Sequence, residues 1–125
     1  MKFHHLGIAC RDIAKTKEWV KCRFPVISEG TVIFDPLQEA QVLLLSLKDG
    51  SAIELISGKP VEDFLKRGIH LYHSCFVVKD IHKVIEEFKK DGAVVVSSAK
   101  EAVLFNQKKV AFLLTPIGII ELLEE

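Results

Sequence analysis

The sequence predicts an α+β fold built from two paired βαβββ modules, and three observations carry that prediction. HHLGIACRDIAKTKEWV, from His4, and YHSCFVVKDIHKVIEEF, from Tyr72, superpose at an offset of 68 residues, matching His5 to His73, Asp12 to Asp80, Ile13 to Ile81 and Glu18 to Glu86. The strand-like runs AIELIS and IIELLE, each with an apolar stretch interrupted by one acid, Glu54 and Glu121, repeat at an offset of 67. Finally, 125 residues suffice for one sizeable core and not for two independent ones. A repeat longer than a solenoid period and present only twice therefore reads as two half-domains that close one core together.

Taken in order, FHHLGIAC alternates as a strand and ends at Arg11-Asp12, where Asp12 caps a helix expected to run to about Phe24 and to stop at Pro25. VISEGTVIFD, AQVLLLSL and SAIELIS follow as strands, divided by Asp35-Pro36 and by the tight-turn signal Lys48-Asp49-Gly50. Module 1 thus spans residues 1–57. A linker at 58–69, GKPVEDFLKRG with its flanks, is expected to carry one short helix at 61–66. Module 2, residues 70–125, restarts with the strand LYHSCFVV. Asp80 caps a helix whose apolar stripe Ile81, Val84, Ile85, Phe88 has helical spacing, and Gly92 closes it. AVVVSS, AVLFN, KVAFLLT and GIIELLE read as the strands after it.

Composition excludes several function classes. Seventeen basic and seventeen acidic residues cancel, and no basic stripe with interleaved aromatics is present, so no nucleic-acid partner is expected. The longest apolar runs are strand-length and broken by Ser, Thr, Pro or Gly, and MKFHHLG does not read as a signal peptide, so no membrane partner is expected either. Cys10, Cys22 and Cys75 are odd in number and lack CxxC spacing, which reads as reduced, mostly buried thiols in a cytoplasmic protein.

The chemistry lies in four polar residues on four strands. Side chains alternate across a strand, so His5 shares a face with Phe3, Gly7 and Ala9, while Leu6, Ile8 and Cys10 form the better helix-packing set. In the second copy His73 goes with Leu71, Cys75 and Val77, whereas Phe76 and Val78 face the helix. Glu54 between Ile53 and Leu55, and Glu121 between Ile120 and Leu122, point away from their apolar neighbours, so all four polar groups are expected to converge. Ionised carboxylates on apolar strands are costly to bury unless paired or bound to a metal. Two imidazoles and two carboxylates suit a borderline divalent ion and leave room for water or substrate oxygens. Each residue alone is more often structural; their repeat-related spacing makes His5, Glu54, His73 and Glu121 the metal-ligand candidates. His4, His70 and His82 lack a repeat-related acid and read as bystanders.

These motifs resemble the vicinal oxygen chelate superfamily, which includes glyoxalase I and methylmalonyl-CoA epimerase, over essentially the whole chain. HHLGIACRDI is similar to the opening segment of the epimerases, YHSCFVVKDIHKVIEEFKKDGA to their second His-bearing segment, and KVAFLLTPIGIIELLEE to their closing strand pair. The resemblance implies paired βαβββ modules forming a U-shaped sheet around one divalent metal ion, nickel, cobalt, zinc or manganese, held by His5, Glu54, His73 and Glu121. It implies an isomerase or epimerase that abstracts a proton beside a metal-bound carbonyl, with Glu121 and Glu54 as the catalytic carboxylates on opposite faces of the substrate. It also implies a thioester or hemithioacetal substrate and a homodimer. Two departures favour a smaller ligand than a CoA thioester: only Thr115-Pro116-Ile117-Gly118 precedes the last strand, and SGKPVEDF stands where the epimerases carry a DSPI-type segment. Glyoxalase I-type chemistry on a thiol hemithioacetal is therefore the alternative, followed by non-catalytic binding of a small molecule; a four-ligand set fits an extradiol dioxygenase less well.

Overall fold

A computed structural model describes all 125 residues. The elements are β1 (Lys2–Ala9), α1 (Ile13–Arg23), β2 (Val26–Glu29), β3 (Ile33–Asp35), β4 (Ala40–Leu47) and β5 (Ala52–Gly58), then a 3₁₀ turn (Lys59–Val61) leading into α2 (Glu62–Lys66). After it come β6 (Leu71–Val78), α3 (Ile81–Lys90), β7 (Val94–Glu101), a second 3₁₀ turn (Val103–Phe105), β8 (Lys109–Thr115) and β9 (Gly118–Glu124). This is the expected α+β architecture, with strand, helix and strands running twice along the chain. Two local expectations are corrected. VISEGTVIFD is broken into β2 and β3, and AVLFN forms the second 3₁₀ turn instead of a strand.

The chain divides into two compact units, His5–Tyr72 and Met1–His4 with His73–Glu125. In the first, strands lie in the order β2-β4-β5-β1, with β3 also pairing β4. The β1–β5 pairing is parallel and the others are antiparallel. Parallel neighbours need a long crossover, which α1 and the intervening strands supply. The core between helix and sheet is Cys10, Ile13, Val20, Leu43, Leu45, Ile53 and Leu55, with Ile8 packed against it. Leu6, expected in that set, is 37 % exposed, so the strand's helix-facing side is buried only from Ile8 onward.

The second unit follows the same plan, with strand order β6-β9-β8-β7 and a parallel β6–β9 pair. Val78, Ile81, Ile85, Ala111, Leu113, Ile120 and Leu122 form its core, with Phe76, Val84 and Phe88 packed against them. Burying an aliphatic side chain of this size contributes about 1.5–3 kcal/mol. Both long helices start alike. Asp12 Oδ1 accepts from the Lys15 amide and Asp80 Oδ1 from the Lys83 amide, each at 3.1 Å. Gly92, with φ of 93°, ends α3 in the left-handed conformation that glycine adopts without steric cost.

Candidate metal centre

In each unit the side of the sheet facing away from the helix carries the polar residues. Ile53 and Leu55 both enter the helix-side core, so Glu54 between them projects from the opposite face. The parallel register sets Gly7 of β1 beside Glu54, and His5, two residues earlier, shares Gly7's face. As a result His5 Nε2 lies 3.7 Å from Glu54 Oε1. In the second unit Ile120 and Leu122 enter the core and Glu121 projects away from it. Cys75 is its register partner on β6 and Phe112 its partner on β8. His73, two residues before Cys75, brings Nε2 to 2.9 Å from Glu121 Oε2.

All four residues are withdrawn from water: His5 is 0 %, Glu54 5 %, His73 2 % and Glu121 2 % exposed. A buried carboxylate carries a desolvation cost of several kcal/mol unless opposite charge and hydrogen bonds offset it. An imidazole stands within hydrogen-bond distance of Glu121 and slightly beyond it from Glu54, and a neutral imidazole supplies no counter-charge. The donor set is nevertheless one a borderline divalent cation prefers, imidazole nitrogen with carboxylate oxygen. Each half-site therefore has the composition of half a metal centre.

The remaining histidines are used differently. His4 is half-buried, its ring edge-on to Phe105 at 5.7 Å. Burial pushes its imidazole pKa below the usual value, with the Glu121 carboxylate pulling the other way. His70 Nδ1 lies 3.0 Å from the Ala9 carbonyl oxygen, while the Ala9 amide donates to the His70 carbonyl at 2.7 Å, so this residue ties backbone to backbone. His82 is exposed on α3.

Two neighbours of the site escaped the sequence reading. Cys75 Sγ is 3.7 Å from Glu121 Oε1, and the Phe112 ring meets the His73 ring edge-on with centroids 5.4 Å apart. The signal for Cys75 was its parity with His73; Phe112 needed the β8–β9 register, which no local pattern encodes. All three cysteines are free thiols, Cys10 and Cys75 buried and Cys22 exposed. A separate cavity of about 340 Å³, lined by Phe76, Phe88, Ile117 and Ile120 among others, lies on the helix side of the second unit, away from Glu121.

Residues 4–112 match the family model described as Glyoxalase/Bleomycin resistance protein/Dioxygenase superfamily. Among solved structures, the chain is similar to a hypothetical protein from Bacillus halodurans, at 25 % identity and a TM-score of 0.77, with 99 % of this chain and 94 % of that one covered. It is similar to the methylmalonyl-CoA epimerase of Mycobacterium tuberculosis at 20 % identity and a TM-score of 0.77, covering 98 % and 87 %. A variant of the Streptomyces coelicolor methylmalonyl-CoA epimerase, bound to 2-nitronate-propionyl-CoA, is similar at 20 % identity and a TM-score of 0.73, covering 100 % and 97 %. At these identities the epimerases establish a common fold. No curated protein matches the sequence. No helix is long and apolar enough to cross a membrane.

Proposed function

The chain belongs to the glyoxalase/bleomycin resistance protein/dioxygenase superfamily, the vicinal oxygen chelate proteins, and from that premise we propose that it is a metal-dependent isomerase or epimerase. In this proposal residues 1–125 form a single domain, and His5, Glu54, His73 and Glu121 are the ligands of one divalent ion, nickel, cobalt, zinc or manganese. The observation that carries it is the recurrence of a buried His–Glu contact on corresponding strands of both repeats. A structural role for one such pair is ordinary. Two carboxylates withdrawn from water at repeat-related positions call for counter-charge.

A divalent ion in such a site acts as a Lewis acid that polarises a carbonyl oxygen and acidifies the adjacent carbon. The chain's own residues then divide the remaining work. His5 and His73, as neutral imidazoles, bind without taking part in proton transfer. One glutamate accepts the proton from the carbon beside the carbonyl, and either it or the other glutamate returns a proton. Return to the same face of a neighbouring carbon gives a 1,2-shift, and return to the opposite face inverts the centre. The apolar walls that bury the carboxylates exclude bulk water and strengthen their electrostatic interactions.

The substrate is a small carbonyl compound carried as a thioester or hemithioacetal. The epimerase-like neighbours support a CoA thioester. One observation favours the glyoxalase I-type alternative: β8 and β9 are joined tightly, with Thr115 paired to Gly118 and its Oγ1 donating to the Gly118 carbonyl at 2.8 Å, so no long loop projects there to cover a large substrate. The assembly we propose is a homodimer, supported by Ile27 of β2 and Val94 and Val96 of β7, all at least 60 % exposed on strands paired along one edge only. The three free thiols fit a reducing compartment, the cytoplasm.

The test is a screen of acyl-CoA thioesters and thiol hemithioacetals in deuterated water, with metal content measured on the same preparation. Deuterium entering the carbon next to the carbonyl, only when metal is bound, is the expected result. Metal uptake with no exchange on either class would make the chain a binding protein, and no metal uptake at all would sink the site.

A further inference from the structure

We infer that Cys75 is a positioning residue for Glu121: its thiol donates to Oε1 and thereby fixes which carboxylate oxygen faces His73 and the metal. Cys75 Sγ lies 3.7 Å from Glu121 Oε1, within reach of a weak S–H donor, while Oε2 is the oxygen 2.9 Å from His73 Nε2. The two carboxylate oxygens are thus set apart, one to the thiol and one to the imidazole. The arrangement is built rather than incidental. Cys75 is 0 % exposed, is the register partner of Glu121 on the parallel strand, and packs with Ala102, Val110, Phe112 and Leu123. Phe112, the register partner on the other side, closes the opposite flank and holds the His73 ring edge-on. The register-equivalent position beside Glu54 is Gly7, which has no side chain, so a side-chain donor at this place belongs to the second repeat.

A carboxylate ligand rotates readily about its terminal bond, and one held through its non-ligating oxygen presents a single oxygen to a metal. Groups that orient ligands in this way typically contribute 10–100-fold to metal affinity. Because S–H is a weak donor, the lower end of that range is expected here.

The inference rests on the reading of the four residues as a metal centre, and the experiment separates the two. The purified chain, stripped with chelator, is titrated with Co(II), following affinity and the visible absorption bands, in the parent and in Cys75→Ala, Cys75→Val and Cys75→Ser. The expected result is roughly 10-fold weaker binding in Cys75→Ala, with altered visible bands as Glu121 reorients. Cys75→Val, which keeps the volume without the donor, behaves like Cys75→Ala and covers the case in which alanine fails to fold. Cys75→Ser, which keeps a donor, restores the parent affinity and spectrum. Parent-like affinity and bands in both Cys75→Ala and Cys75→Val would overturn the inference while leaving the metal centre intact. An intense near-ultraviolet sulfur-to-cobalt band in the parent that vanishes in these variants would overturn it too, by making the sulfur a ligand. A parent chain that takes up no Co(II) would overturn the metal centre itself.

Discussion

Glu121 stands between a thiol and an aromatic ring, with an imidazole nitrogen 2.9 Å from one oxygen, so changing it to glutamine alters charge and basicity while leaving size and one carbonyl oxygen in place. Glu121→Gln is expected to lower deuterium exchange by the 10²–10⁴ typical of losing a general base, with metal stoichiometry falling far less; measuring both on one preparation checks it. If Glu121→Gln and Glu54→Gln each kept full exchange with metal bound, the base would lie elsewhere. His5→Ala and His73→Ala are expected to lose metal and activity together, because imidazole has no second task here. At this scale the sequence was informative because strand alternation is a strict geometric rule. Knowing that Ile53, Leu55, Ile120 and Leu122 prefer the core is enough to point Glu54 and Glu121 the other way. The distances within each pair, and the thiol beside Glu121, depend on which strands become neighbours, and no local pattern contains that.

The helices begin where the repeat places them. Asp80 both caps α3 and belongs to the repeated motif, and the Ile81 amide is met by Glu124 Oε2 at 3.3 Å. Asp80→Ala is expected to cost about 1 kcal/mol, read from the urea midpoint, with a similar loss for Asp12→Ala. Gly58, closing β5 with φ of 111°, is more demanding: a Cβ there would sit 2.6 Å from the Glu39 carbonyl oxygen. Gly58→Ala is expected to destabilise by roughly 1–3 kcal/mol, and unchanged urea unfolding would remove that strain argument. The strand misread at AVLFN shows where local pattern stops. Val103, Leu104 and Phe105 have strand-forming side chains, but Asn106 and Gln107 take φ of 55° and 65°, and the Ala102 amide bonds to the Lys108 carbonyl at 2.9 Å. That closes residues 102–108 into a loop. Phe105 still buries itself against the Cys75 and Phe112 cluster, so its hydrophobicity is used without a strand.

For the molecule as a whole, the proposed metal centre would make metal binding a folding term. A chain holding metal at 100 times its dissociation constant gains about 2.7 kcal/mol if only the folded state binds. Thermal unfolding is therefore expected to move up with added Ni(II) or Zn(II) and to return with chelator; an unfolding temperature indifferent to every divalent ion tried would contradict the proposed centre. Light scattering at high concentration is expected to give twice the chain mass of 14.0 kDa, and a monomer would set aside the proposed dimer. The repeat was legible at this scale because duplication leaves its mark in the residues themselves; assembly was not, since exposed valines on an edge strand look alike whether or not something covers them. The parallel pairing of first and last strands in each repeat has a further consequence, one of timing. His5 and Glu54 are 49 residues apart in the chain, and His73 and Glu121 are 48 apart, so each half-site appears only when its final strand comes home alongside its first. Contacts of such long sequence separation form late and slowly. Until β5 and β9 dock beside β1 and β6, each carboxylate is without the imidazole it stands beside in the folded unit.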